Sequence, residues 1–249
     1  MTFQIVIAGV SIRIKSIYSD VYAYCKDYLD NENEPEISIE IYPSDLEEEA
    51  LRNKELWPMS DERASYMEIL AVYRRIAEML LKRNIFLMHG VLLDCCGSGI
   101  LITAPSGTGK TTRANLWTAH IPDSYVINGD KPLLSMGDDV VGYGTPWNGK
   151  EYMGCNKSVP VKAICLLERS DEDQMIRVNP REVLQPLMKQ VFLPANSNLR
   201  IKTLCLLDCL CKKVPVYLMR CDREPSSIIK IYNTLCSDGI IKTGPRTWH

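Results

Sequence analysis

Apolar residues follow two rhythms along this chain, one of period two and one near 3.6, and the switches between them outline its elements. Residues 3 to 14 alternate loosely and are rich in β-branched side chains, which predicts a strand. Residues 18 to 29, with Tyr18, Val21, Tyr22, Cys25 and Tyr28, predict a short helix. Ile37 to Ile41 alternates strictly and closes a strand, helix, strand unit beyond the acidic loop Asn31 to Glu36. Asp45 to Glu49 reads as the solvated start of a helix. The longest helix of the first third is expected from Asp61 to Lys82, where Ile69, Val72, Tyr73, Ile76 and Leu80 recur at helical spacing and the charged face meets solvent.

From Ile85 to Asp94 the chain is strand-like, Cys96-Gly97-Ser98-Gly99 turns it back, and Ile100 to Thr103 forms the second arm of a hairpin. A helix is expected over 110 to 119, then strands at 125 to 127 and 131 to 134, a loop from Gly142 to Gly154 and a buried strand over 161 to 167. The last third predicts helices near 181 to 192 and 199 to 212, a strand over 215 to 219 and a final helix near 225 to 236, started by Pro225-Ser226-Ser227. The result is a mixed α/β chain with several hairpins and without the regular βαβ alternation of a doubly wound sheet. The expected division places an N-terminal α/β segment, residues 1 to 84, packed on a core domain of residues 85 to 249.

Composition narrows the class. With 249 residues, 46% hydrophobic and 24% charged, the chain can bury a sizeable core. A net charge of -2 gives no global reason to expect nucleic acid or an anionic membrane as partner. No run approaches the ~20 apolar residues that cross a bilayer, and Met1 to Val10 lacks a basic leader, so a cytoplasmic protein is expected. The 10 cysteines fall mostly in apolar segments and read as reduced, buried thiols. Cys205, Cys209 and Cys211 have neither a CxxC pair nor a nearby histidine, and read as part of a core helix rather than a zinc site.

The chemistry concentrates in Ala104-Pro105-Ser106-Gly107-Thr108-Gly109-Lys110-Thr111-Thr112, directly after the apolar run Ile100 to Ile102. Glycines at 107 and 109 let successive backbone N–H groups turn toward phosphate oxygens. Lys110 can reach the outer phosphates, and the Thr111 hydroxyl suits Mg²⁺. The usual G-x-x-x-x-G-K-S/T pattern would place glycine where Ala104 stands. A bland strand-to-helix turn has no need of a lysine followed by two hydroxyls, so Ser106 to Thr112 predict a nucleoside triphosphate with Mg²⁺. The following helix would aim its positive end at the phosphates.

Asp130 is the expected acidic partner, at a strand end after Tyr125-Val126-Ile127-Asn128-Gly129, as metal ligand with Thr111 or as base; the alternative is a turn aspartate. Asp138 and Asp139 read as hairpin-turn residues. His89, one of 3 histidines, is by default structural. In the loop Thr145-Pro146-Trp147-Asn148-Gly149-Lys150, Trp147 and Lys150 either flank an acceptor site or form a packed turn.

The succession His89-Gly90-Val91-Leu92-Leu93-Asp94, hairpin, Ser106-Gly107-Thr108-Gly109-Lys110-Thr111 closely resembles the catalytic domain of HPr kinase/phosphorylase. Asn128 to Leu134 and Gly144 to Lys150 resemble bacterial proteins described as HPr-kinase-related. The resemblance implies the fold shared with phosphoenolpyruvate carboxykinases, an α/β core with a largely antiparallel sheet, and ATP-dependent phosphorylation of a serine hydroxyl. It lifts His89 to a catalytic candidate beside Lys110 and Asp130. The chain departs from that family in three ways: a single carboxylate stands at Gly129-Asp130 or Asp130-Lys131 where the family has two adjacent aspartates, Thr112 replaces an acid, and the N-terminal part is dissimilar, which bears on any homo-oligomer.

The function expected is a Mg²⁺-ATP-dependent kinase acting on a hydroxyl of a protein, a peptide or a small molecule such as free serine. A nucleotide-binding sensor or accessory protein without transfer is the alternative. A carboxykinase-like lyase lacks the cluster of basic residues needed to grip a dicarboxylate.

Overall fold

A computed structural model of the protein describes residues 1 to 221 and 225 to 242. The chain divides into two compact units, Met1–Arg83 and Asn84–His249, the latter described as far as residue 242.

In the first unit, β1 (Thr2–Ile7) and β2 (Val10–Lys15) form an antiparallel hairpin, which corrects the single strand expected over 3 to 14. Its turn is Ala8-Gly9, with φ of 53° and 72°, the positive pair that a two-residue hairpin turn requires. Alanine at such a position carries no turn signal, so the hydrophobic pattern reads straight through it. α1 (Asp20–Tyr24) and a short 3₁₀ turn lead to β3 (Ile37–Glu40), which pairs parallel with β2 and gives the sheet order β1-β2-β3.

α2 (Pro43–Arg52) and α3 (Asp61–Leu80) follow. The acidic start of α2 is solvated at Glu47 and Glu48 as expected, but not at Asp45 and Glu49. Asp45 caps the Tyr42 N–H at 2.9 Å and pairs with Arg75, and Glu49, 1% exposed, accepts from Arg74 and Arg52. The charged residues of α3 likewise do more than face water: buried Glu68 accepts the backbone N–H groups of Ile17 and Tyr18. Carboxylates this buried persist because arginines or N–H groups meet them.

The second unit contains β4 (Ile85–Leu87), β5 (Val91–Cys95), β6 (Ser98–Thr103), α4 (Lys110–His120), β7 (Ser124–Asn128), β8 (Leu133–Met136) and β9 (Val140–Tyr143). It continues with β10 (Ser158–Arg169), β11 (Gln174–Val178), α5 (Leu184–Met188), α6 (Ser197–Lys213), β12 (Val216–Cys221) and α7 (Pro225–Ser237). Among the described residues the strands form one curled sheet in the order β4-β8-β9-β10-β6-β5-β7, with β12 beside β10 and β11 beside β12. Only the β10–β6 and β10–β12 pairings are parallel, so the unit is mixed α/β with a mostly antiparallel sheet.

β10 accounts for the curl. Its first residues, Ser158 to Pro160, pair with β9; from Val161 onward it joins β6, and from Ile164 onward β12 as well. Burial alternates in the first half and becomes continuous from Ala163 to Leu167, where both faces are covered. One face of β5, β6, β10 and β12 packs Val91, Ile102, Cys165 and Met219 against Trp117 of α4 and Ile231 of α7. Each such fully buried aliphatic side chain contributes roughly 1.5–3 kcal/mol.

Three expectations change here. The strand expected from Ile85 to Asp94 is broken at Met88 to Gly90, because β4 pairs with β8 while β5 pairs with β6 and β7. The helix expected over 181 to 192 shrinks to Leu184–Met188, since the chain beyond is needed for pairing: Val191 bridges to Met88 and Phe192 donates to the Leu87 carbonyl. On α6 the buried residues are Thr203, Leu206, Leu207 and Leu210, and Cys205 and Cys209 are exposed rather than buried. Asp138 and Asp139 lie in the β8–β9 turn. β11, whose short period-two run is half exposed at the sheet edge, was not legible in the pattern. No helix among the described residues is long and apolar enough to cross a membrane.

Candidate functional site

Strand directions gather the candidate residues at one end of the second unit. β6, β10 and β12 run parallel, and β5 runs against both β6 and β7. The C-terminal ends of β6, β7, β10 and β12 and the start of β5 therefore share one edge. Thr103, Asn128, Arg169 and Cys221 end those strands there, and His89 enters there. Open sheets commonly place ligands at such an edge.

The glycine-rich loop runs from the end of β6 to α4. Gly107 and Gly109 have φ of 78° and 115°, and an added Cβ would meet nothing within 4 Å at either, so the glycines serve backbone conformation beneath an open surface. Arg113 N–H is bonded back to Gly109 O at 3.0 Å. The N–H groups of Lys110, Thr111 and Thr112, in the turn before it, lack carbonyl partners within the helix. Lys110 is buried, with its ammonium donating to the carbonyls of Ala104 at 2.8 Å and Pro105 at 3.2 Å. Burial lowers its pKa, and the nearby Asp130 charge works in the opposite direction. A buried cation satisfied only by neutral carbonyls of its own loop is well prepared for an anion. Ser106 and Thr112 are exposed, Thr111 is half-buried, and Thr108 donates its hydroxyl to Pro105 O.

Asp130 sits in a turn built by Asn128. The buried Asn128 side chain accepts the N–H groups of Asp130 and Lys131 through Oδ1 and donates through Nδ2 to Thr145. Asp130 is thus a turn aspartate by backbone, with its carboxylate held by side chains. One oxygen lies 3.3 Å from His89 Nε2 and the other accepts from Lys131. His89 is fixed from three directions: its carbonyl accepts from Thr103 Oγ1, its N–H donates to Gln190 O, and its Nδ1 lies 2.8 Å from Gln190 Oε1. Gln190 carries no sequence signal, being 101 positions from the histidine it orients.

Burial by itself pushes the Asp130 carboxyl up; the hydrogen bond from His89 and the charge and hydrogen bond of Lys131 outweigh it and pull the value from 3.8 to about 2. A carboxylate held this low is a good cation ligand and a poor proton acceptor. Because the folded value is depressed, its contribution to stability is complete above about pH 4 and is lost as pH falls toward 2, about 2 kcal/mol in all. Asp130→Asn should therefore flatten the fall in thermal midpoint between pH 4 and pH 2 relative to the unaltered protein. Equal falls in the two would show that the carboxylate is not held this way.

The loop after β9 closes on this turn. An added Cβ at Gly149 would lie 3.3 Å from Asp130 Cβ, so the loop flanks the carboxylate; within it Trp147 is 4% exposed and packed, while Lys150 is exposed. At Gly129 an added Cβ would stand 2.6 Å from Asn148 O and 3.0 Å from Met153 O, so backbone fills the space a side chain would need.

On the far side of the glycine-rich loop, Arg169 at the end of β10 donates to the carbonyls of Gly107 and Thr108. Two cavities flank it. One of about 470 Å³ is walled by Pro105, Leu166, Leu167 and Pro186, and one of about 270 Å³ reaches Thr112, Arg113 and Cys221. Neither arginine was singled out in the sequence, where each is one basic residue among 29.

Among solved structures, the HPr(Ser) kinase/phosphatase from Coxiella burnetii shows a weak, fold-level similarity, with a TM-score of 0.37 and 9% identity over 61% of this chain and 97% of that one. No curated protein matches. The family described as SynChlorMet cassette protein ScmC matches residues 54–225, more than half of the chain, and the chain belongs to that family.

Proposed function

We propose that the chain is a Mg²⁺-ATP-dependent phosphotransferase that moves the γ-phosphoryl group to a hydroxyl, most simply a serine of a protein, a peptide or a small molecule. One observation carries the reading. The buried ammonium of Lys110, bonded only to carbonyls of its own loop, shares a sheet edge with the Asp130–His89 pair. In this reading the loop N–H groups and Lys110 bind the phosphates, and Thr111 and Asp130 hold Mg²⁺, which when bound neutralises phosphate charge.

Transfer breaks the bond between the β–γ bridging oxygen and the γ-phosphorus, and that oxygen leaves with the electron pair on ADP. The acceptor oxygen forms the new bond, and its proton passes to a phosphate oxygen or to water. Phosphoryl transfer through a loose transition state places little demand on a strong base. That suits a carboxylate as weakly basic as Asp130. His89 then positions Asp130, and Gln190 positions His89.

A second reading, a nucleotide-binding protein without transfer, is favoured by Gly129, where no second carboxylate fits. Incubating the protein and lysate of its host with γ-labelled ATP separates the two. A labelled species that disappears with Lys110→Ala supports transfer. Binding of Mg-ATP without any labelled species supports the second reading, and absence of binding removes both.

Lys150, exposed one residue beyond the contact with Asp130, is assigned to the acceptor side. Lys150→Ala should lower transfer about tenfold with Mg-ATP binding intact, read from initial rates and a binding titration. Unchanged transfer would reduce the loop to a packed turn.

A further inference from the structure

Arg113 lies one helical turn into α4 and is only 3% exposed. A guanidinium stays charged at any ordinary pH and carries five N–H donors. Among the described residues it makes a single hydrogen bond, from Nη1 to Ser227 Oγ, and no carboxylate pairs with it. A buried cation so placed is costly unless an anion completes it. Arg113 also lines the cavity of about 270 Å³ that begins at Gly107 to Gly109 and passes Thr112 toward the end of β12. Arg169, whose guanidinium donates to the carbonyls of Gly107 and Thr108, lines the same cavity, so two arginines border a space of that size. The Lys131 ammonium beside Asp130, by contrast, already has its carboxylate.

We propose that this cavity is an oxyanion subsite in which Arg113, with Arg169 and the Thr112 hydroxyl, holds the innermost phosphate of the nucleotide seated on the glycine-rich loop. The assignment rests on the nucleotide reading and extends it by position. In the strand order β12-β10-β6-β5-β7 the cavity lies over β12, β10 and β6, whereas Asp130 lies beyond β5 at the end of β7. A triphosphate whose outer end meets Lys110 and Asp130 therefore extends its inner end toward Arg113.

The test is a calorimetric titration of Mg-ATP, and of orthophosphate with and without saturating Mg-ATP, on the unaltered protein and on Arg113→Met, Arg169→Ala and Lys110→Ala. Loss of charge-assisted hydrogen bonds to phosphate predicts Mg-ATP affinity about 10- to 100-fold weaker in Arg113→Met and several-fold weaker in Arg169→Ala. Orthophosphate should not bind the Mg-ATP complex. If orthophosphate does bind that complex, depends on Arg113, and leaves Mg-ATP affinity unchanged in Arg113→Met, the cavity holds a free anion and the inner-phosphate assignment falls. Unchanged Mg-ATP affinity in both arginine variants, together with weak binding by Lys110→Ala, overturns the inference while the nucleotide reading stands. Failure of the unaltered protein to bind Mg-ATP ends the nucleotide reading and this assignment with it. Should Arg113→Met fail to fold, Arg169→Ala, altered at an exposed side chain, decides alone.

Discussion

Lys110→Ala should slow phosphoryl transfer from Mg-ATP by roughly 10²- to 10³-fold, and leave the protein as stable as before or slightly more so. The first half follows from where the charge sits. Lys110 is buried at the start of α4 with no carboxylate closer than electrostatic reach, so its whole stabilisation is available to phosphate oxygens as charge develops on them. Removing a single preorganised donor of this kind commonly costs 10²–10³-fold in turnover. The second half follows from burial. A desolvated ammonium whose pKa is already lowered is a cost to the folded state, and alanine relieves it. Initial rates of label transfer and a thermal melt measure both on one preparation. A variant that transfers phosphate at near-normal rate would remove the proposed function, and a large loss of stability would show that Lys110 is a structural bolt for its loop.

Gly129→Asp is expected to destabilise the second unit by about 3 kcal/mol and to yield no more active enzyme. The substitution would set a second carboxylate beside Asp130, which makes it the natural attempt at improvement. An added Cβ, however, would lie 2.6 Å from Asn148 O and 3.0 Å from Met153 O, and both are backbone atoms that cannot rotate away. The loop that would have to move packs Gly149 against Asp130, and Gly154 bridges to Asn128. A second carboxylate would also raise the Asp130 pKa by like-charge repulsion and weaken its hold on a cation. Urea unfolding of Gly129→Asp beside Gly129→Ala divides the effect, since alanine carries the steric part without the charge. If the aspartate variant is fully stable and transfers phosphate faster, the backbone does not close off this position as described.

What could be read in the sequence was local. The period of 3.6 over Asp61 to Leu80 and the apolar run before Ala104 reflect burial of a face along a continuous element, and such signals survive without knowledge of partners. Lys110 and Asp130 stand out in the sequence by residue type and spacing around the glycines, whereas His89 stands out only through the family resemblance, and the structure places His89 beside Asp130. The unread residues act through partners remote in the chain. Gln190 orients a histidine 101 positions away, and Arg113 reaches Ser227 across 114. Arg169 braces a loop 61 residues before it. The break at Met88 to Gly90 belongs to the same class. His89-Gly90 is the one local interruption of the apolar run, and the chain leaves its line there because β4 and β5 have different neighbours. Buried Asp45 and Glu49 mislead in the opposite sense, since an acidic run reads as wet until the arginines of α3 are placed beside it.

The change of partners along β10 has a mechanical consequence. Twelve residues of strand form a rod of roughly 40 Å. One end is sewn to the hairpin that follows the Asp130 turn, and the other carries Arg169 beside the glycine-rich loop. A hinge between the acidic and basic flanks would have to tear backbone hydrogen bonds on both sides of a single strand. The sheet is therefore a fixed anvil, and any closing over a ligand falls to the loops at 104 to 109 and 144 to 157, which should lose amide-exchange protection first while β10 keeps it longest.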